Sequence, residues 1–351
     1  MLALAPSMLG KVVRRLLSLV ALVFIIQAAI KLSKDWDTSS VQLQPMWLVL
    51  AFPAAVLAYW LQSYSFLLLL ESWTDRSLPS LRTREIFFAS QLARYTPGRL
   101  GLPAVRMARA AELDLPKEQL GTVTLGEVAL WLSTGGMALA LGLALTDENA
   151  FAQYANLNEL GYVIAAALLL GVLALGIFPR RLWFKLLGPK IAPRLFATTA
   201  ESTRPLLPLS AAALLLGHWV LWLLHGSLLA LSVGAPASHF LFGGTALLLS
   251  ILAGFFAFFA PAGVGVREAV VAYALAPWVG VTNATLVGVL ARAASLLVEV
   301  MLFAALKYKL AHSSTAQALA EPHHASHEPT HNPTDTEVHE RPRPDERFES
   351  M

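Results

Sequence analysis

Five arginines stand beside two breaks in otherwise apolar stretches. Arg94, Arg99 and Arg106 lie in "RYTPGRLGLPAVR" (residues 94–106), and Arg109 follows three residues on. Arg267 lies in "FAPAGVGVREAV" (residues 259–270), with Glu268 beside it. After each break a new helix starts, so its free N–H groups and positive dipole end face the turn. Arginine adds planar, bidentate donors suited to phosphate. An anionic lipid headgroup is the anion such a site meets in a membrane. Glu268 either neutralises Arg267 or recognises an amine. Arg106 and Arg109 have a second reading, as residues of the cytoplasmic surface.

Three more charges, Glu127, Arg292 and Glu299, lie inside apolar runs. Each costs about 2.5–3.5 kcal/mol at a helix centre on insertion scales. Arg292 and Glu299 are seven apart and share a helix face. Pairing of Glu127 with Arg292 is expected, either as a structural joint or as a pair that also lines a substrate cavity. His218 and His225 are also seven apart, with Trp219 and Trp222 beside them. They read as a proton relay or as histidines packed in a helix bundle. The chain has no cysteine. It has no His-Glu-x-x-His, no paired-aspartate motif, no P-loop and no nucleophile elbow. No cofactor or metal is expected, and transport would run downhill or on an ion gradient.

The elements that must carry these residues are membrane helices. The chain is 56% hydrophobic and 14% charged, against about 25% charged for an average globular chain. Its net charge of +3 points to no nucleic-acid partner. Apolar runs fall at about 12–32, 46–71, 117–145, 159–178, 208–233 and 282–309. The first follows Arg14 and Arg15 without a good cleavage site, so it reads as an uncleaved span. Two further stretches, about 84–112 and 238–279, are each interrupted by their Pro/Gly motif. Neither half of the first reaches across a bilayer, whereas residues 240–260 of the second are long enough to cross alone. Lysine and arginine crowd the N-terminus, the loop at 72–84 (Arg76, Arg82, Arg84) and the loop at 179–207, which places these in the cytoplasm. Lys31 and Lys34 weigh against that orientation.

The two interrupted stretches align without a gap, 164 residues apart: Pro97 with Pro261 and Gly101 with Gly265. Each follows a full span and an apolar half-helix, and each precedes a short amphipathic helix and another full span. Read as hairpins entering from opposite sides, they form an inverted repeat of the kind that builds transporter sites near the bilayer midplane. The glycines permit the turn and the prolines end a helix. The expected fold is therefore an all-α polytopic membrane protein of about six to eight transmembrane helices with two re-entrant hairpins. Repeat one covers about 46–145 and repeat two about 208–309, within a domain of residues 1–310. N- and C-termini are both expected inside. Residues 311–351, rich in His, Pro and Glu, read as a disordered cytoplasmic tail.

"ARYTPGRLGLPAVRMARA", "PAGVGVREAVVAYAL" and "LVGVLARAASLLVEVMLF" together resemble the lysylphosphatidylglycerol synthetase transmembrane, or flippase-like, family over roughly residues 12–309. Pro261, Gly263, Gly265, Glu268 and Arg292 match the second motif. Pro97, Gly98, Gly101 and Arg106 match the first, which departs from the pattern at Leu102 and Pro103. The resemblance implies movement of lipid between leaflets and no synthase activity. The resulting candidate substrate-binding set is Arg94, Pro97, Gly98, Arg99, Gly101, Arg106, Glu127, Pro261, Gly263, Gly265, Arg267, Glu268 and Arg292. The expected partner is a membrane phospholipid or polyprenyl-linked lipid in a bacterial cytoplasmic membrane. The alternatives are an intramembrane enzyme on a lipid substrate, with Glu268 or His218 as acid or base, and a scaffold for a separate lipid-modifying enzyme. Oligomeric state is left open.

Overall fold

The computed structural model describes residues 41, 43–95, 101–146, 157–177, 185, 207–257, 260 and 263–320, without the side chains of 157–161 and 314–320. The expected first span at 12–32, most of the 179–207 loop and residues 321–351 lie outside that set. The described residues up to Ala311 belong to one compact unit. Of the second unit, from His312 on, the described part is helical to Ala320. Helix was expected to end near 309, so it runs further than the sequence suggested. Ala, Gln and Leu in "HSSTAQALA" are good helix formers.

Eight α-helices are described, and no strand among the described residues. They are α1 (Pro45–Thr74), α2 (Ser80–Ala93), α3 (Gly101–Ala108), α4 (Lys117–Leu145), α5 (Leu157–Ile177), α6 (Leu209–Ser232), α7 (Phe240–Phe256) and α8 (Val266–Ala320). A 3₁₀ turn, Ala110–Leu113, joins α3 to α4, and a second, Ala237–His239, leads into α7. Proline precedes α2, α4 and α6 (Pro79, Pro116, Pro208), where its missing N–H costs nothing. Gly280 (φ 80°, ψ 158°), three residues after Pro277, breaks α8 into 266–279 and 281–320.

Five segments are long and apolar enough to cross a membrane: Pro45–Thr74, Lys117–Leu145, Leu209–Ser232, Ala237–Phe256 and Val266–Ser313. The chain is a multi-pass membrane protein. At 1.5 Å per residue α2 and α3, with 14 and 8 residues, reach only about 21 and 12 Å, short of a hydrocarbon core of about 30 Å. Large apolar side chains stay exposed on the outside, among them Val49, Leu125, Leu170, Val220 and Tyr273, as lipid contact requires.

Between helices, small residues permit close approach. α1 packs along α6 through Ala51, Ala55 and Ala58, all fully buried. α6 meets α7 so closely that a Cβ on Gly244 would lie 2.3 Å from the Leu223 carbonyl oxygen. α4 packs against α5, α6 and α7. This bundle holds the ends of the two breaks against α1, α4 and α6.

Candidate functional site

The first break begins where α2 ends. Arg94 caps that helix, and beyond a 3.4 Å bond from Nη2 to Tyr95 Oη its guanidinium reaches three further neighbours. Nη1 donates to Gln91 Oε1 at 2.9 Å, Nη2 donates to Tyr59 Oη at 3.0 Å, and Nη2 pairs with Glu299 of α8. Glu299 is fully buried. Pro97, Gly98 and Arg99 lie outside the described residues. Gly101 opens α3, half-buried. One and a half turns on, Arg106 is completely buried, which removes its reading as a surface residue. Its Nη1 donates to Glu127 Oε2 at 2.7 Å and its Nε to Ser90 Oγ at 2.9 Å. Its Cζ sits 4.1 Å from the centroid of the Phe66 ring.

The second break follows α7. Pro261 lies outside the described residues, but the two glycines after it are informative. Gly263 and Gly265 have φ of +70° and +84°, where side chains are strained. A Cβ on Gly263 would also lie 2.7 Å from the Gly254 carbonyl oxygen, so this turn is pressed against α7. Val266 then starts α8. In its first turn Glu268 reaches back, and its Oε2 accepts the Gly265 N–H at 2.7 Å, the placement a helix N-terminus favours for an acid. Its Oε1 accepts Arg292 Nε–H at 2.5 Å. Glu268 therefore makes its ion pair with Arg292 and not with Arg267.

These contacts overturn the expected Glu127–Arg292 pair. Glu127 is bound by Arg106 and Arg292 by Glu268, so each charge on a long span is met from the short helix preceding that span. Short sequence separation, 21 and 24 residues, brings these partners together across one turn. The pair that ties the first break to the last helix is Arg94–Glu299.

A cavity of about 290 Å³ lies between the breaks. It brings together Arg94, Glu127 and Arg267 of the candidate set. Arg106, Gly263, Gly265, Glu268 and Arg292 support the wall without lining it. The rest of the lining includes Tyr59, Gln62, Gln91, Thr124, Trp131 and Ser295, with the His218–Trp222 face of α6. Exposed Leu125 carries the lining out to the lipid-facing surface. Sequence reading singled out His218, Trp219 and Trp222 but missed Tyr59, Gln62, Gln91, Thr124, Trp131 and Ser295. The signal present was the buried polar run Gln62, Ser63 and Ser65 inside an apolar helix.

The two histidines act as clamps. Trp131 Nε1–H donates to His218 Nε2 at 3.4 Å, which leaves the proton on Nδ1 to donate to the Ala58 carbonyl at 2.9 Å. His225 Nδ1 makes the same kind of bond to Ala51 at 2.8 Å. Among the described residues no group of His, Asp and Glu is placed to hold a metal.

Two other charged groups correct the sequence reading. Arg84 belongs to α2 rather than to an exposed loop. It is buried, its Cζ 3.7 and 3.9 Å from the Trp60 and Tyr64 ring centroids, and its Nε donates to Ser63 Oγ at 3.0 Å. Arg109 grips Glu85 at 2.5 Å and Glu112 at 2.7 Å, and Arg82 lies 3.3 Å from Glu112. The Arg109 hydrogen bonds, aided by the charges of Arg109 and Arg82, hold the Glu112 carboxyl below its ordinary range against the opposing effect of burial.

Residues 11–302 match the family model described as the lysylphosphatidylglycerol synthase TM region. The chain belongs to that family. Membership supports a general role in lipid translocation, and the matched region contains both breaks and the whole cavity. A comparison with curated proteins gives no significant match.

Proposed function

We propose that this family member moves a phospholipid or a polyprenyl-phosphate-linked lipid between leaflets. Its headgroup passes through the cavity while the acyl chains stay in the bilayer. One observation carries this reading: Arg94 and Arg267, one from each helix break, stand on the wall of a single cavity inside an apolar bundle. Charge at that depth is costly, and it is retained where a polar cargo must pass.

In this reading α2–α3 and α7 with residues 266–279 are re-entrant hairpins from opposite sides, the cores of an inverted repeat. Positive-φ residues at corresponding places support it: Asp75 and Gly234 follow the first helix of each half, and Asp114 and Gly280 precede the last. The ion pairs match as well, with polarity exchanged. Arg106 and Glu127 stand 9 and 30 residues after Pro97; Glu268 and Arg292 stand 7 and 31 after Pro261.

The test is transfer in liposomes, read by quenching of fluorescent lipid in the outer leaflet. Wild type should move lipid well above protein-free vesicles. Val128→Trp, which fills the cavity from α4, should abolish most of that rate while the protein still inserts and folds. Wild-type rates equal to those of empty vesicles would refute the reading, as would full activity in Val128→Trp.

A further inference from the structure

We propose that the cavity selects a headgroup with net negative charge, carried by a phosphodiester, and discriminates against aminoacylated headgroups. The inference rests on the lipid-transfer reading above and adds the charge class of the cargo. It comes from counting charges where water is scarce. Among the described residues, the charges that line the cavity, their ion-pair partners and the adjacent Arg292–Glu268 pair make four arginines and three glutamates. Arg94 is met by Glu299, Arg106 by Glu127 and Arg292 by Glu268. No carboxylate among the described residues comes within ion-pair distance of Arg267.

Glu268 cannot turn to its neighbour, because both oxygens are taken: one by Arg292, the other by the Gly265 N–H. Arg267 is also seated for the purpose. Gly254 leaves room for its stem, since a Cβ there would lie 2.4 Å from Arg267 Cγ, and the side chain lines the cavity. Arg84 does not line it. Among its described residues the site thus carries one cation in excess, and the other arginines there each have a carboxylate partner. A phosphodiester offsets that excess. An amine added to the same headgroup returns the excess charge and repels Arg267. With an effective dielectric of about 20, a like charge held about 12 Å from Arg267 shifts occupancy on the order of tenfold.

The same chemistry exists in a soluble phosphodiester, so both sources enter the experiment. Wild type, Arg267→Gln and Arg267→Lys are reconstituted with trace fluorescent phosphatidylglycerol, phosphatidylcholine or lysylphosphatidylglycerol. The expected wild-type order is phosphatidylglycerol first, with lysylphosphatidylglycerol slower on the order of tenfold. Arg267→Lys keeps the order and Arg267→Gln flattens it. Equal or faster transfer of lysylphosphatidylglycerol by wild type overturns the proposal, as does an unchanged preference in Arg267→Gln. Native mass spectrometry of the detergent-solubilised proteins with the same three lipids reads binding without transfer. If wild type transfers nothing, the transport reading falls. The charge preference then stands or falls on whether phosphatidylglycerol outcompetes the other two there and loses that advantage in Arg267→Gln. Inhibition by soluble glycerophosphoglycerol as strong as that by phosphatidylglycerol overturns a lipid cargo.

Discussion

Replacing Arg106 by Met tests the internal wiring of the first hairpin. Arg106 and Glu127 are 2.7 Å apart, with side chains 0% and 4% exposed. With charge centres about 4 Å apart and an effective dielectric of about 20, their attraction is about 4 kcal/mol. Arg106→Met strands Glu127 in a dry bundle, an error that costs about 3–5 kcal/mol. Glu127→Gln alone strands the arginine. Together the two substitutions remove both charges, so the double variant should regain most of the loss, with a coupling of about 2–4 kcal/mol. The stacking of Arg106 on Phe66 and its bond to Ser90 involve neither atom of Glu127, so they cancel in the cycle. Reversible unfolding in mixed micelles measures all four proteins. Glu127→Gln with Arg292→Gln should by contrast be additive within about 0.5 kcal/mol. Additivity between Arg106 and Glu127 would refute that pair, and coupling between Glu127 and Arg292 would show that the charges are wired as the sequence alone suggested.

Topology and acid sensitivity give two more checks. A cysteine tag placed after residue 311 should be labelled only from the cytoplasmic side, as two re-entrant hairpins require; labelling only from outside means that Ala237–Phe256 crosses fully. Because the folded Glu112 carboxyl lies below its ordinary value of 4.5, its contribution to stability is present above that value. It is lost as pH falls through the folded one. Wild type should therefore lose slightly more stability than Glu112→Gln on acidification below about pH 4.5, and identical melting curves for the two from pH 6 to pH 3 would remove Glu112 from the account.

Spans and breaks were legible in the chain because their causes are local. Twenty-odd apolar residues span a bilayer wherever they occur, so 117–145 and 208–233 were read within a residue of α4 and α6. Proline and glycine crowded within a few residues break a helix, whereas Pro53 alone is carried inside α1, so the interruptions near 97 and 261 were visible, and so was the need for buried charges to find partners. Which partners they find was decided only in three dimensions. Seven-residue spacing puts Arg292 and Glu299 on one face of α8, yet they serve different carboxylate and guanidinium partners, Glu268 and Arg94. That choice depends on how each helix is rotated and how deep each break sits, and these are set by the packing of α1, α4, α6 and α7 as a whole. The same holds for Arg84. By sequence it belongs to a basic loop; in the fold α2 swings it between Trp60 and Tyr64. Arg267 is the clearest case. Its neighbour in the chain is an acid, and only the tertiary structure turns that acid towards Arg292 and leaves Arg267 on the cavity wall.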